Sequence, residues 1–460
     1  MAKAGGKRIR RSELLSAFSY ALDITEGQPE GHSVRSCWIA CQLGEQLGLR
    51  RDEQRDLFYA VLLKDLGCSS NAARICNVYL ADDRSFKRDF KLVGPKLSDI
   101  LAFVFSQTAS RAPLMSRAKS IFNILINGPA ISQELIQTRC ERGADIARQL
   151  RFSDAVAQGI YHLDEHWDGS GKPDGLVGEA IPLLSRIALL AQVADVFHTH
   201  DGPAAATAEV MRRSGSWLDP RLAEAFSALA SGSGFWARLA SPTLAEELLH
   251  SSAAQCQMLA EEDFLDDVAA AFGSVVDAKS PYTSGHSERV AGYCDRIAAL
   301  VGYDPARRRW LRRGALLHDI GKLGVSNNIL DKPAKLDAAE WDLMRQHASH
   351  TLSILSRISA FGDLAPIAAA HHERLDGRGY PMGLADNQIS LETRIITICD
   401  FFDALTADRP YRRAMSAEQA LGIISESVGT AVDVTCYQAL CRMVEEDSEA
   451  PKARPPVGLA

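Results

Sequence analysis

Apolar residues recur at three- and four-residue spacing along most of this chain, and strict alternation of apolar and polar positions is rare. Residues 288–301 and 417–428 are two such stretches, each predicted as an amphipathic helix. Ser416 stands just before the second with Gln419 three residues on, the spacing of a reciprocal N-terminal cap. Pro and Gly gather instead at 168–176 and 376–384, which read as loops. The expected fold class is therefore all-α. Residues 242–272, rich in Leu, Ala and Glu, read as a helical connector, and 447–460, with three prolines and little apolar content, as a flexible tail.

The same pattern occurs twice. Residues 23–67 align without a gap onto 277–321 at an offset of 254, with Asp23, His32, Ser33, Arg35, Asp65 and Gly67 matching Asp277, His286, Ser287, Arg289, Asp319 and Gly321. Further on, Glu165, Asp168, Gly169, Gly171, Pro173 and Arg186 match Glu373, Asp376, Gly377, Gly379, Pro381 and Arg394 at an offset of 208. The change of offset places about 46 additional residues in the first copy, between Ser69 and Arg139. The implied organisation is a first copy over 1–241, a connector over 242–272, a second copy over 273–446 and the tail.

Composition narrows the partners. With 460 residues, 46% hydrophobic and 24% charged, the chain has material for two or three ordinary domains. A net charge of −7 argues against DNA or RNA binding, which needs a broad basic surface. Ten cysteines lie scattered without a CxxC pair, and the basic N-terminus lacks the apolar core of a signal peptide, so a cytoplasmic location is expected. No apolar run approaches the roughly 20 residues that span a bilayer.

The chemistry concentrates in the second copy. His318-Asp319 follows an apolar run, and His371-His372-Glu373-Arg374-Leu375-Asp376-Gly377-Arg378-Gly379-Tyr380-Pro381 supplies a second histidine pair before a glycine-rich turn. Imidazole and carboxylate donors arising at separate points suit a carboxylate-bridged metal cluster. This ordered set, over about 277–415, resembles the HD-GYP subgroup of the HD phosphohydrolases, with the first copy as a degenerate relative of the second.

That resemblance implies two HD-type helical domains in tandem and a phosphodiesterase acting on a cyclic dinucleotide. It implies metal ligands His286, His318, Asp319, His347, His371, His372 and Asp400, with Asp319 bridging two divalent ions. Nitrogen and oxygen donors without thiolate favour iron or manganese. Some family members carry a Glu one turn before the position of His286 and complete a trinuclear site. Here that residue is Tyr282, which favours two ions.

Lys322, three to four residues after the His/Asp pair, is expected on the same face of a continuing helix, facing the substrate phosphate and stabilising charge there. Residues 406–412, Thr-Ala-Asp-Arg-Pro-Tyr-Arg, look like the family segment whose basic residues grip dinucleotide phosphates, here Arg409 and Arg412. Tyr380 offers a ring and hydroxyl near the ligand. A lone histidine such as His350 reads as a surface or packing residue, and Cys399 as core. The expected reaction is opening of cyclic di-GMP to linear pGpG, with onward cleavage to GMP. The alternatives are cyclic GMP-AMP hydrolysis at the same site, or a sensor or scaffold without turnover.

The first copy keeps the frame and loses the ligands. His318 becomes Lys64, Lys322 becomes Cys68, His347 becomes Arg139, and His371-His372 become Leu163-Asp164. Asp400 falls opposite Gln192, or beside Asp195 if the register slips by three. Two surviving ligand positions, His32 and Asp65, cannot hold a dinuclear cluster. Nearby His162, His166 and His198 read as ordinary polar residues. A regulatory or packing role follows, with an anion pocket through Lys64, Arg139 and Lys172, and a homodimer or signalling partner engaged through this copy.

Overall fold

The structure, a computed structural model, describes residues 11–94, 96–109, 113–251, 262–409 and 412–449. Part of the connector (252–261), most of the tail, and Pro410 and Tyr411 of the basic segment lie outside the described residues. Among the described residues the chain is helical, without a strand.

The first copy opens with α1 (Arg11–Thr25), α2 (His32–Gln46) and α3 (Arg51–Leu62). The stretch that carries the additional residues then forms α4 (Ala72–Tyr79), α5 (Asp83–Phe90), α6 (Leu97–Gln107) and the first half of the long α7 (Leu114–Gln149). After α8 (Asp154–Tyr161) come the glycine-rich loop, α9 (Leu183–Asp201), α10 (Pro203–Arg213), α11 (Pro220–Ala230), α12 (Phe235–Leu239) and α13 (Leu244–Leu249). The second copy follows with α14 (Glu262–Asp277), α15 (His286–Leu300), α16 (Pro305–Leu317), α17 (Asn327–Leu330), α18 (Ala338–Leu355), α19 (Ala365–Ala369), α20 (Leu391–Thr406), α21 (Ala417–Ser425) and α22 (Val434–Glu449). The later part of the expected connector is thus the start of α14, the repeat partner of α1.

Capping chemistry sets the helix starts. Asp304 accepts the Ala306 and Arg307 amides at 2.9 and 3.0 Å, ahead of Pro305 in the first turn of α16. Ser416 and Gln419 form the expected reciprocal cap, at 3.3 and 3.1 Å.

Buried polar residues repeat along with the helices. Asp23 accepts from the amide and hydroxyl of Ser33 as Asp277 does from those of Ser287. Glu165 gathers the amides of Asp174, Gly175 and Leu176, as Glu373 gathers those of Met382, Gly383 and Leu384. The two glycine-rich turns therefore share one geometry, fixed by a buried carboxylate that satisfies three loop amides. Arg186 pairs with Asp219 and Arg394 with Asp433, both at 2.7 Å, so the offset grows from 208 to 214 after α9 and α20. The six added residues fall in the basic segment, which the first copy lacks.

A pseudo-twofold relation joins the copies. Phe18 of α1 and Phe272 of α14 hold equivalent repeat positions, and their rings stack with centroids 3.7 Å apart. Each copy's first helix crosses to the other: α1 packs on α18 and on the 3-10 turn Ile320–Gly324, while α14 packs on α7 and on the turn Cys68–Asn71. One continuous apolar core runs through both copies.

Candidate metal centre

Three of the candidate histidines are oriented in the same way, His318 and His371 just past the ends of α16 and α19 and His347 in the middle of α18. Nδ1 of His318, His347 and His371 lies 2.6–2.7 Å from the carbonyl three residues back, on Ala315, Met344 and Ala368. A carbonyl only accepts, so Nδ1 carries the proton and the Nε2 lone pair is left to point inward. His286, at the start of α15, donates from Nδ1 to the buried Asp403 at 2.7 Å, with the same consequence. Thr351 fastens the turn after His318 by donating to its carbonyl and accepting the Gly321 amide, both at 3.0 Å.

The inward atoms converge on Asp319. Its Oδ2 lies 3.3 Å from His318 Nε2 and 3.4 Å from His286 Nε2, while Oδ1 lies 3.6 Å from His371 Nε2 and 3.7 Å from His347 Nε2. Asp400 Oδ1 faces the first pair at 3.4 and 3.8 Å. These separations are long for hydrogen bonds. The three shortest match ligand atoms that share an ion at about 2.1 Å, which stand roughly 3.0–3.5 Å apart, and the other three exceed that range by about 0.1–0.3 Å.

Two ligand groups result, His286, His318 and Asp400 on one side and His347, His371 and His372 on the other, with one oxygen of Asp319 turned to each. His286 Nε2, His318 Nε2 and Asp319 Oδ1 are buried without a hydrogen-bond partner. Buried polar atoms are seldom left so, and their convergence fits a pair of cations. All seven candidate ligands are brought together here.

The electrostatics divide in the same way. Burial, reinforced by neighbouring imidazoles, pushes the pKa of His371 down, that of His347 to about 3 and that of His372 to about 4. These three rings are neutral, as ligation requires. Burial also opposes charge on His318, but the carboxylates of Asp319 and Asp400 outweigh it and raise its pKa. For Asp319, burial favours the neutral acid, yet Lys322, His318 and His286 hold it well below the carboxylate range.

Two expectations are corrected. Lys322 does not continue α16, which ends at Leu317. It lies on the 3-10 turn Ile320–Gly324, where the tighter winding brings its ammonium onto Asp319 Oδ2. Arg412 does not present a free guanidinium, because its two terminal nitrogens donate to the carbonyls of Ala404, Leu405 and Arg413 at 2.7–2.8 Å. It closes the C-terminus of α20, whose last carbonyls need donors. Arg409 pairs through its backbone with Arg412.

Tyr380 lies against His372, ring centroids 4.8 Å apart. Tyr282 is partly exposed and outside both ligand groups. His350 packs against Gly324, and Cys399 is core, as expected.

Two functional candidates escaped the sequence. Asp403 clamps His286 and also receives Arg289, at 2.6 and 3.0 Å. Its signal was present in the repeat, since Asp195 binds His32 and Arg35 identically at 2.7 and 2.6 Å. Asp195 is therefore the partner of Asp403, and Asp400 stands opposite Gln192 with no slip. Arg345, in no motif, lies over the ring of Tyr380 at 5.6 Å, and Tyr380 in turn lies against His372.

In the first copy the centre is filled by ion pairs. Lys64 is buried on Asp65, Arg139 meets Asp164, and Lys91 reaches Glu26 at 2.9 Å and Asp65 at 3.7 Å. Cations stand where ions would.

Comparison with known proteins agrees with this architecture. A family model described as an HD domain matches residues 107–222 and 271–436. The chain is 53% identical over 429 residues to 3'3'-cGAMP-specific phosphodiesterase 3 of Vibrio cholerae serotype O1, covering 93% of each. It is 35% identical over 189 residues to a cyclic di-GMP phosphodiesterase of Thermotoga maritima, covering 40% of this chain and 51% of that protein. Among solved structures, a crystal structure of a cyclic GMP-AMP specific phosphodiesterase from V. cholerae is similar with a TM-score of 0.64 and 47% identity, covering 95% of this chain and 98% of that one.

Proposed function

This chain belongs to the HD domain family, in its HD-GYP branch, and from that premise we propose that its second copy is a metal-dependent phosphodiesterase that hydrolyses 3'3'-cyclic GMP-AMP. The observation that carries the catalytic part is the division of Asp319, one oxygen toward His286 and His318 and the other toward His347 and His371.

Two divalent ions, held by His286, His318 and Asp400 on one side and His347, His371 and His372 on the other, would supply a hydroxide at neutral pH and positive charge beside the scissile phosphate. Iron and manganese suit these nitrogen and oxygen donors. Asp319 bridges the two groups and stays ionised through Lys322, whose ammonium also lies at hand for charge developing on the phosphate. Tyr380 and Arg345 form one wall of the entrance, and Arg409 is the remaining basic residue of the phosphate-gripping segment.

The substrate assignment rests on extent of likeness. The cyclic GMP-AMP relative shares nearly the whole chain, degenerate copy included, whereas the cyclic di-GMP relative shares 40% of it. Cyclic di-GMP opened at the same site is the second reading, and the intact ligand set weighs against a sensor without turnover. The nine described cysteines are all free thiols, which supports a reducing, cytoplasmic setting, and no described helix is long and apolar enough to cross a membrane. Leu114, Met115, Phe122, Leu125 and Ile126, exposed along α7, support a homodimer or a signalling partner through the first copy.

Metal-loaded protein given cyclic GMP-AMP and cyclic di-GMP at equal concentration should open the first at least about tenfold faster, roughly 1.4 kcal/mol of discrimination. Equal rates, or a preference for cyclic di-GMP, would overturn the substrate assignment, and no cleavage of either would overturn the activity.

A further inference from the structure

Beside the ion pairs that fill the centre of the first copy lies a cavity of about 320 Å3. Arg139, Asp164, Lys172 and Gln192 line it, at the repeat positions of His347, His372, Tyr380 and Asp400. The substrate-side space has thus outlived the metal site, with cations in place of imidazoles. α5 turns Lys87 and Lys91 into the same cavity, from the segment the second copy lacks. Against Lys87, Lys91, Arg139 and Lys172 the lining sets only Glu26 and Asp164, leaving an excess of positive charge. Arg213 also lines it, held by Glu209 at 2.6 Å, and the other cations have protein partners as well: Lys87 donates to the Cys68 carbonyl at 2.6 Å, Lys91 lies 2.9 Å from Glu26, Lys172 donates to Gln133 at 2.7 Å and Arg139 meets Asp164.

The rest of the wall is apolar and aromatic. It includes Phe86, Phe90 and Trp217, whose ring lies parallel to His166 with centroids 4.2 Å apart and carries the Arg213 guanidinium 4.3 Å from its centroid. Gln192 Oε1 and Asn71 Oδ1 border the cavity, buried and without a hydrogen-bond partner. Buried polar atoms left open beside an empty space call for a polar ligand or ordered water.

We infer that this cavity binds a nucleoside monophosphate, its phosphate met by Arg139, Lys91 and Lys172 and its base seated in the aromatic wall around Trp217. Guanidinium and ammonium donors meet phosphate oxygens directly, with no ion between. Aromatic side chains stack on any base. The volume lies at the lower end of the roughly 300–1,000 Å3 usual for small-molecule pockets, enough for one nucleotide unit and tight for two. The assignment does not depend on catalysis by the second copy.

The site has a route to the other copy. One turn before Lys87, Asp83 is buried against Lys279 at 3.1 Å and accepts the Asn327 amide at 2.9 Å. Arg84 beside it donates to the Gly324 carbonyl at 2.7 Å, at the end of the turn that carries Lys322. A phosphate met by Lys91, the residue that follows α5, is thereby one helix away from the turn that carries Lys322.

Calorimetric titration of the full-length protein with GMP and with AMP tests the inference. Saturable binding of at least one is expected. Ile136→Trp, which fills the cavity from α7, should abolish it. Lys172→Ala should weaken it about tenfold and Lys172→Arg restore it to within about threefold, the scale of one charge-assisted hydrogen bond. Asp319→Ala should leave it unchanged, which separates this site from the second copy. Thermal melting establishes that each variant is folded, and should Ile136→Trp fail to fold, the Lys172 pair and Asp319→Ala carry the test. No binding of either nucleotide, binding retained in folded Ile136→Trp or in Lys172→Ala, or binding lost with Asp319→Ala would overturn the inference. So would dodecanoate, an anion without a ring, binding where neither nucleotide does.

Discussion

Asp403 holds no candidate ion, yet it decides where His286 points. Its Oδ2 accepts a hydrogen bond from Nδ1 of His286, and Arg289 holds the same carboxylate from the other side. Partners of this kind fix the tautomer and the basicity of a ligating imidazole. Asp403→Asn should therefore lower metal affinity by about 10–100-fold while thermal unfolding still shows a folded protein. Unchanged metal affinity in that variant would remove Asp403 from the centre's support. At this scale the sequence was uneven. His318-Asp319 and His371-His372 declared themselves because ligand types adjoin there, whereas Asp403 and Arg345 act through space from α20 and α18. The role of Arg412 was not legible either, since a basic segment looks the same whether its guanidinium meets a phosphate or the carbonyls at the end of α20.

Among the elements, α5 has the most to explain. Only the fold shows that its N-terminal end buries Asp83 among Lys279, Ser326 and Asn327 of the other copy. Asp83 and Lys279 are both almost wholly inaccessible. Asp83→Ala would leave the ammonium buried and unpaired, at a cost of about 3–5 kcal/mol, measurable by denaturant unfolding. A loss below about 1 kcal/mol would mean that the contact is slack.

The pair also sets a pH dependence. Burial opposes ionisation of Asp83, but Lys279 and Lys87 bring its pKa down to about 2, below the ordinary 3.8. Stability from this carboxylate is therefore present above about pH 4 and lost as the pH falls toward 2. Asp83→Asn should flatten that part of the acid-unfolding profile, and an unaltered profile would contradict the assignment.

The whole molecule behaves as an internal dimer of unequal halves. The repeat was legible as two offsets in the sequence, and with it the all-α class. The pseudo-twofold packing was not, because the stacking of Phe18 on Phe272 and the crossing of α1 onto the Ile320–Gly324 turn arise between residues hundreds apart. Since α1 and α5 brace the turn that carries Lys322, residues 262–449 expressed alone should melt at least several degrees below the full chain, from the apolar faces exposed. An equal melting temperature would show that the copies fold independently.

The central claim is that the second copy holds two ions bridged by Asp319 and the first holds none. Elemental analysis of anaerobically purified wild type and of Asp319→Ala, both shown to be folded, tests it most directly. The account predicts about two ions per chain in wild type and fewer than about one in the variant. About three in wild type, one or none in active protein, or an undiminished content in Asp319→Ala would contradict it.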